Sequence, residues 1–465
     1  MLGRREFLRA LGAGAATAAL APLGCGPGGR RGLVIAEANP DQLRQALRDA
    51  VITLGGRLDQ PRAWLLTRRR VRVLVDVAVA EVVEERSTVG VLSARDGDGR
   101  RIERCFDEVT APRVAALAAA MAATGGRRRE VGSAIPPPVD HGGPVEVDPA
   151  RLAHADWLAR ARDIARRSER AASSRIVYRA AWLASDDDRV WAVGEDGDRH
   201  QRLVRSRFGA TFVAWHGSTP QFGEAEIAGG FGPAVVRLDD EAIARAAAEA
   251  LALFTPSAPP IGRHVVLLDP GVVAALVAAH VSAPRLAAPS RPGVTIVDDP
   301  TAGGYAGYWF DDDGAPARAT PLFGGGAGVG ATLGVGHARR QAPTWRLAPV
   351  PAQLVVAAGA ATAAELEAGI NDGLVIEGVR DVHIDDAGVV VVRVTRGRQL
   401  AAGVRTGRQW GDLEVRGGAA DLFSDAIGVS QERREVAVAS AGSPQSVSAP
   451  WLLTRARVGQ ARGAS

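Results

Sequence analysis

The segment PGVVAALVAAHVSAPRL, residues 270–286, has the composition of a buried helix and offers one side chain able to bind a metal or carry a proton, His280. One imidazole is not a metal site, because protein-held zinc needs at least three nitrogen, sulfur or oxygen donors. On an alanine-rich helix a lone histidine is ordinarily structural. His216, His264, His337 and His383 are scattered without ligand spacing and could converge only through folding. Asp311-Asp312-Asp313-Gly314 suggests calcium or a carboxylate pair, yet no bidentate glutamate follows, and Asp-Gly at a strand end is turn chemistry. The glycine cluster FGGGAGVGATLGVG, residues 323–336, lacks the Gly-Lys-Ser/Thr of a phosphate loop, and no Gly-x-Ser-x-Gly elbow occurs. Lysine is absent, so all 56 basic residues are arginines and Schiff-base chemistry is excluded.

The elements that must position these residues fall into three expected units. Residues 41–55 have helical spacing and a glycine stop; strands around VRVLVDVAVAEVV and STVGVLSARDGDGRRIERCFDEV follow, then the alanine-rich helix PRVAALAAAMAATGG. Together they predict an N-terminal α/β domain over 31–124. Residues 125–149 are dense in Gly, Pro and Arg without apolar period and read as an exposed linker. A helix from Asp148 to about Ala172, strands RIVYRAAWLAS, RVWAV and HQRLVRSRFGATFVAW turned at Glu195-Asp196-Gly197, and a helix capped by Leu238-Asp239-Asp240 predict a central α+β unit over 150–255. From 262 to 460 short strands and glycine-heavy turns predict a β-rich C-terminal domain. The fold class is α+β.

Residues 1–30 read as a twin-arginine export signal: Arg4-Arg5 precede Phe7 and Leu8, then a weakly apolar run too short to span a bilayer. Ala19-x-Ala21 fits ordinary cleavage, whereas Leu23-Gly24-Cys25 resembles a lipoprotein box in which Cys25 is acylated. Either end leaves Cys105 as the only thiol and no internal disulfide. Export places the protein in the periplasm or envelope. The net charge of +4 is small for 465 residues, so nucleic acid is not an expected partner.

The order of segments in the C-terminal half resembles the PmbA/TldD family, once described as modulators of DNA gyrase and now viewed as zinc peptidases. RHVVLLDPGVVAALVAAHVS resembles the family's strand, Asp-Pro turn and active-site helix. TIVDDPTAGGYAGYWFDDDGAPARATPLFGGG resembles its Asp-Asp-Pro and aromatic-Asp-x-x-Gly block. LVVAAGAATAAELEAGINDGLVIEGV and GDLEVRGGAADLFSDAIGVSQE resemble two later segments, while GHARRQAPTW looks like a shortened Arg- and Gly-rich active-site segment. In the peptidase branch the helix carries His-Glu-x-x-x-His and a late cysteine completes the zinc shell. The resemblance puts those helix positions on Ala278, Ala279 and Ala283, and VAVASAGSPQSVSAP offers no cysteine. Shifting the frame to His280 meets Ala275 and Arg285 instead of a second ligand.

The resemblance therefore implies the PmbA (TldE)-like branch: a chain without catalytic residues or metal, paired as a heterodimer with a zinc-bearing TldD-like subunit and enclosing unfolded peptides. Two alternatives stand beside it. One is a self-sufficient metallopeptidase with relocated ligands. The other is a non-enzymatic peptide-binding envelope lipoprotein anchored through Cys25.

Overall fold

The computed structural model describes residues 40–126, 135–143, 145–216, 219–234, 236–255, 257–282, 294–324, 333, 335–341, 344–385, 388–417, 422–423, 425–438 and 443–461. Arg4, Arg5, Ala19, Ala21, Cys25 and Ala283 lie outside them. The fold is α+β: a seven-stranded and a ten-stranded sheet, each carrying helices.

The first sheet contains β1 (Asp59–Asp76), β2 (Ala80–Arg95), β3 (Arg101–Phe106), β4 (Pro138–Gly142), β5 (Ile176–Gly194), β6 (Gly197–His216) and β7 (Thr219–Gly230), in the order β3-β2-β1-β5-β6-β4, with β7 also on β6. Strands of residues 31–124 and of residues 150–255 thus share one sheet, joined where β1 pairs antiparallel with β5. The stretch expected to be an exposed linker holds a strand, β4, parallel to the start of β6. Its proline stands at the first position of an edge strand, where a missing N–H is tolerated.

β5 also differs from expectation, running unbroken where two strands were predicted. The reason is cross-strand charge. Arg68, Arg69 and Arg70 of β1 stand opposite Asp188, Asp187 and Asp186. Arg68 Nε meets Asp188 at 2.7 Å, Arg70 Nε meets Asp186 at 2.7 Å, and Arg202 of β6 holds Asp187 at 2.7 Å. Paired in this way, three consecutive acids sit inside a sheet that would otherwise reject them. The Arg68 and Arg205 guanidiniums hold Asp188 down at about 2, against the opposing effect of burial.

Four helices cover this sheet: α1 (Pro40–Gly55), α2 (Ala111–Ala122), α3 (His154–Ala171) and α4 (Asp240–Leu251). α3 begins later than expected because Asp148 caps a separate short turn at Pro149–Arg151. Leu47, Leu54, Val114 and Met121 form one core with Leu65 and Leu92; Trp157, Ile164, Ile243 and Ala247 form a second with Phe208 and Phe212. Asp239 caps α4, accepting from Ala242 N at 2.6 Å.

In the second sheet, β8 (Gly262–Leu268), β14 (Asp372–Ile384), β15 (Val390–Ala401), β17 (Leu413–Gly417) and β19 (Gln445–Gln460) pair in sequence, and β19 returns to β8, which closes a ring. β9 (Ile296–Asp298), β10 (Thr320–Phe323), β13 (Gln353–Val356), β16 (Val404–Trp410) and β18 (Gly428–Val438) extend it; β11 (Ala338–Gln341) and β12 (Arg346–Pro349) form a separate hairpin. The helix α5 (Pro270–Ser282) packs Val272, Val273, Leu276 and Val277 against Ile376, Val392, Val394 and Leu452. Being apolar on nearly every side, it belongs in a core rather than on a surface. A short helix, α6 (Ala363–Ala368), carries a capping box between Thr362 and Glu365.

Candidate functional site

α5 starts at a turn that the sequence specifies locally. Asp269 Oδ1 accepts from Val272 N at 2.7 Å and Pro270 opens the first turn, so the axis is fixed by a cap and by a residue suited to that position. Ala275, Ala278 and Ala279 then share one face by helical spacing. That face lines a half-open chamber of about 1950 Å³ between β7, α4, α5, β14 and β18.

The chamber meets three strands along their edges. Every residue of Glu224–Ala228, Glu377–Ile384 and Glu432–Val438 lines it, whereas a strand seen face-on would present only alternate residues. Among the described residues, β7 pairs only with β6, β18 pairs with β19 and, at Ser430 alone, with Ala361, and β14 leaves β8 after Ile376. Backbone N–H and C=O groups are therefore available on the chamber side of all three.

Charges of both signs project inward. Arg207 of β6 holds Glu226 at 2.7 Å, leaving Glu224 without a charged partner among the described residues. Glu224 is exposed toward the chamber, where the surrounding protein and then the Glu226 carboxylate raise its pKa against the pull of Arg207. Burial raises Asp269 at the foot of α5, against the pull of Arg434.

The residues of α5 do not fit a zinc ion. Ala278 and Ala279 reach the chamber wall with methyl groups, which have no lone pair. His280 points the other way. Its Nδ1 bonds to the Leu276 carbonyl at 2.6 Å and its ring meets Phe423 edge-on at 5.7 Å, while burial lowers its pKa. Of the other histidines weighed, His383 alone lines the chamber, with Asp381 at 3.7 Å. Among the described residues, no three His, Cys, Asp or Glu side chains come together as a metal site.

The acidic block at 298–313 is a seam between the two sheets. Asp311 Oδ1 accepts from Asp313 N at 3.0 Å and Ala315 N at 2.8 Å; its Oδ2 accepts from Gly336 N at 2.9 Å and Ala338 N at 3.1 Å. Gly314 has φ +85°, so Asp-Asp-Asp-Gly is the turn its composition predicts. Asp312 takes Arg340 N at 2.7 Å and the Trp64 indole N–H at 3.3 Å, and Phe310 packs among Trp64, Val91 and Val190. Arg205 of β6, 2 % exposed, reaches across to the Tyr305 carbonyl at 2.9 Å while bonding Asp188 at 3.0 Å. Arg339 and Arg340 of the GHARRQAPTW segment are buried in this seam.

Sequence reasoning missed one constellation. His337 Nδ1 lies 2.9 Å from Asp298 Oδ2 and its Nε2 lies 2.7 Å from Thr320 Oγ1. Since the carboxylate only accepts, Nδ1 carries a proton, and in a neutral ring Nε2 then accepts from threonine. That is the bonding order of a hydrolase triad. Here His337 and Asp298 are wholly buried, Asp298 Oδ1 is occupied by Ala352 N and Gln353 N, and none of the three lines the chamber. The arrangement ties β9, β10 and β13 together. No spacing signal exists for it, because 298, 320 and 337 are brought together only by strand pairing.

Comparison with known proteins gives the same architecture. Residues 290–459 match the PmbA/TldA metallopeptidase C-terminal domain. TldE from Thermococcus kodakarensis superimposes with TM-score 0.69 at 16% identity, covering 89% of this chain and 100% of that one. A protein from Thermotoga maritima described as a candidate modulator of a DNA gyrase gives TM-score 0.67 at 16% identity, over 90% of this chain and 100% of that one. Another so described, from Bacteroides thetaiotaomicron, gives 0.63 at 14% identity, over 90% and 98%. No curated protein sequence matches the chain. Residues 290–459 thus carry a PmbA/TldA metallopeptidase C-terminal domain, on a fold that the chain shares with these structures along about nine-tenths of its length.

Proposed function

We propose that this chain is the metal-free, TldE-like subunit of a two-subunit peptidase, enclosing extended peptides while a zinc-bearing TldD-like partner cleaves them. The observation that carries this reading is the alanine face of α5. It stands on the chamber wall, and Ala278 and Ala279 can neither coordinate zinc nor take a proton from water. The three unpaired strand edges support the binding half of the proposal, since an extended peptide can add to such an edge through main-chain bonds whatever its side chains. The exported location belongs to the same reading and rests on Arg4-Arg5, with Cys25 or Ala21 as the mature end.

The test is metal analysis and peptidase assay of the purified chain, alone and co-expressed with a companion that carries an intact His-Glu-x-x-x-His helix. The lone chain is expected to hold no zinc and cleave nothing, and the pair to hydrolyse unfolded peptides. One tightly held divalent ion per isolated chain, removed by a chelator together with cleavage, would favour the self-sufficient peptidase and end this proposal. Cys25→Ser is expected to release the protein from membranes if the anchor is lipid.

A further inference from the structure

Arg396 on β15 is a buried cation on the chamber wall that has no ion-pair partner among the described residues. It lies two residues beyond Val394, whose side chain is in the core under α5, at the point where that core opens into the chamber. The residue is 4 % exposed. Its Nη2 donates to the Glu249 carbonyl in the last turn of α4 at 2.6 Å, and its Nε has no hydrogen-bond partner. The carboxylate across the ladder, Glu377, is already committed: one oxygen to Arg398 at 2.8 Å, the other to Arg405 at 3.4 Å. No acid among the described residues comes within ion-pair distance of Arg396. A buried guanidinium left in this state is costly to the fold and is strongly stabilised by any anion that reaches it.

The backbone beside it is shaped for access. The β14–β15 ladder slips between Val379 and Asp381, and Gly378 has φ +69° with Thr395 Oγ1 only 2.1 Å from where a Cβ would sit. Thr395 and Arg396, consecutive on β15, both line the chamber beside this bulge.

We propose that Arg396 anchors a carboxylate-binding subsite on the chamber wall, taking the C-terminal carboxylate or an acidic side chain of an enclosed peptide. The part of the guanidinium that lines the chamber meets the carboxylate, the Nε–H behind it remains unpartnered, and the Glu249 carbonyl holds the guanidinium plane in place. The subsite rests on the reading of the chamber as a peptide site and adds polarity to it: a strand edge accepts a peptide in either direction, whereas one fixed cation selects where negative charge lies.

The test is calorimetric titration of the full chain with three probes: acetylated penta-alanine with a free carboxylate, the same peptide amidated, and an amidated version with a central aspartate. A carboxylate-bearing probe is expected to bind roughly tenfold more tightly than the neutral one, and Arg396→Met to remove that difference while sparing the neutral peptide. Preference for the free acid identifies a chain terminus as the ligand; preference for the aspartate probe identifies a side chain. Equal affinity of all three, or a preference that survives in Arg396→Met, overturns the subsite and leaves the chamber reading standing. Failure of every probe to bind overturns both. Should Arg396→Met not fold, the arginine Nε–H signal that disappears in Arg396→Lys is expected to shift in the wild-type spectrum with a carboxylate probe only; an unmoved signal overturns the subsite.

Discussion

The alanine face of α5 and the acidic seam at 298–313 belong to the same domain and use side chains in opposite ways. At the seam every carboxylate oxygen of Asp311 and Asp298 is taken by an N–H donor, mostly backbone, and nothing remains for a ligand. On α5 the positions that could have carried chemistry are methyl groups beside open volume. Dense, saturated polarity fixes the turns that stand between the two sheets. Sparse, unsatisfied polarity, at Arg396 and Glu224, surrounds the space where something could bind. The motif that looks most chemical in the sequence is thus architectural.

The sharpest way to break this contrast is Asp311→Ala. It leaves four seam N–H groups without an acceptor, and at about 1–3 kcal/mol for each group that water cannot reach, partial relaxation still leaves a loss of about 4 kcal/mol. Urea unfolding should show it. A loss below about 1 kcal/mol means that this carboxylate is not what holds the 311–315 turn to the 336–338 segment.

Asp188→Asn is the next largest, at about 3 kcal/mol, because it strands Arg68 and Arg205 as like charges in a buried layer. The same pair sets an acid limit. Asp188 is held at about 2 in the folded chain, below an unfolded value near 3.9, so its contribution is complete above about pH 4 and is lost as pH falls toward 2. Stability measured across that window should fall less steeply in Asp188→Asn than in wild type.

How much of this was legible depended on the range of the interaction. α5 could be read from its own residues, because an apolar run bounded by Asp-Pro states its burial locally. The expectation that Ala278 and Ala279 stand where zinc-binding residues would be came through family resemblance, and the structure puts both on the chamber wall. β5 was not legible, since Asp186-Asp187-Asp188 looks like a break until Arg68 and Arg70 of a distant strand are set beside it. β4 was hidden by its Gly, Pro and Arg surroundings. His337 and Arg396 were invisible as partners or as an orphan, because their environments come from β9, β10 and α4, none of which is near them in sequence.

Ala279→Phe sharpens the chamber side of the contrast. Ala279 is half-buried, and the added ring has open volume to enter, so the stability change should stay within about 1 kcal/mol. Peptide binding, or cleavage by the assembled pair, should nonetheless fall at least roughly tenfold, because the ring occupies the wall opposite the strand edges. Unchanged binding would place the peptide elsewhere.

The smallest expected effect is at His280→Leu. The substitution removes one bond to the Leu276 carbonyl, an acceptor already used within the helix, and it removes a buried Nε2 that makes no well-formed hydrogen bond, the Gly417 backbone being its nearest polar neighbour. These losses and gains are each about 1 kcal/mol and opposite in sign, so the net change at pH 8 should be within about 0.5 kcal/mol. The pH dependence is the more telling measurement. Burial depresses the folded pKa of His280, so wild type keeps its full stability above the unfolded histidine value near 6.5 and loses part of it as pH falls below that. His280→Leu should be flatter over pH 7 to 5. If instead the variant loses bound metal or peptide, then the one imidazole on this helix acts in the chamber after all, and the contrast between a saturated seam and an inert wall fails at its most testable residue.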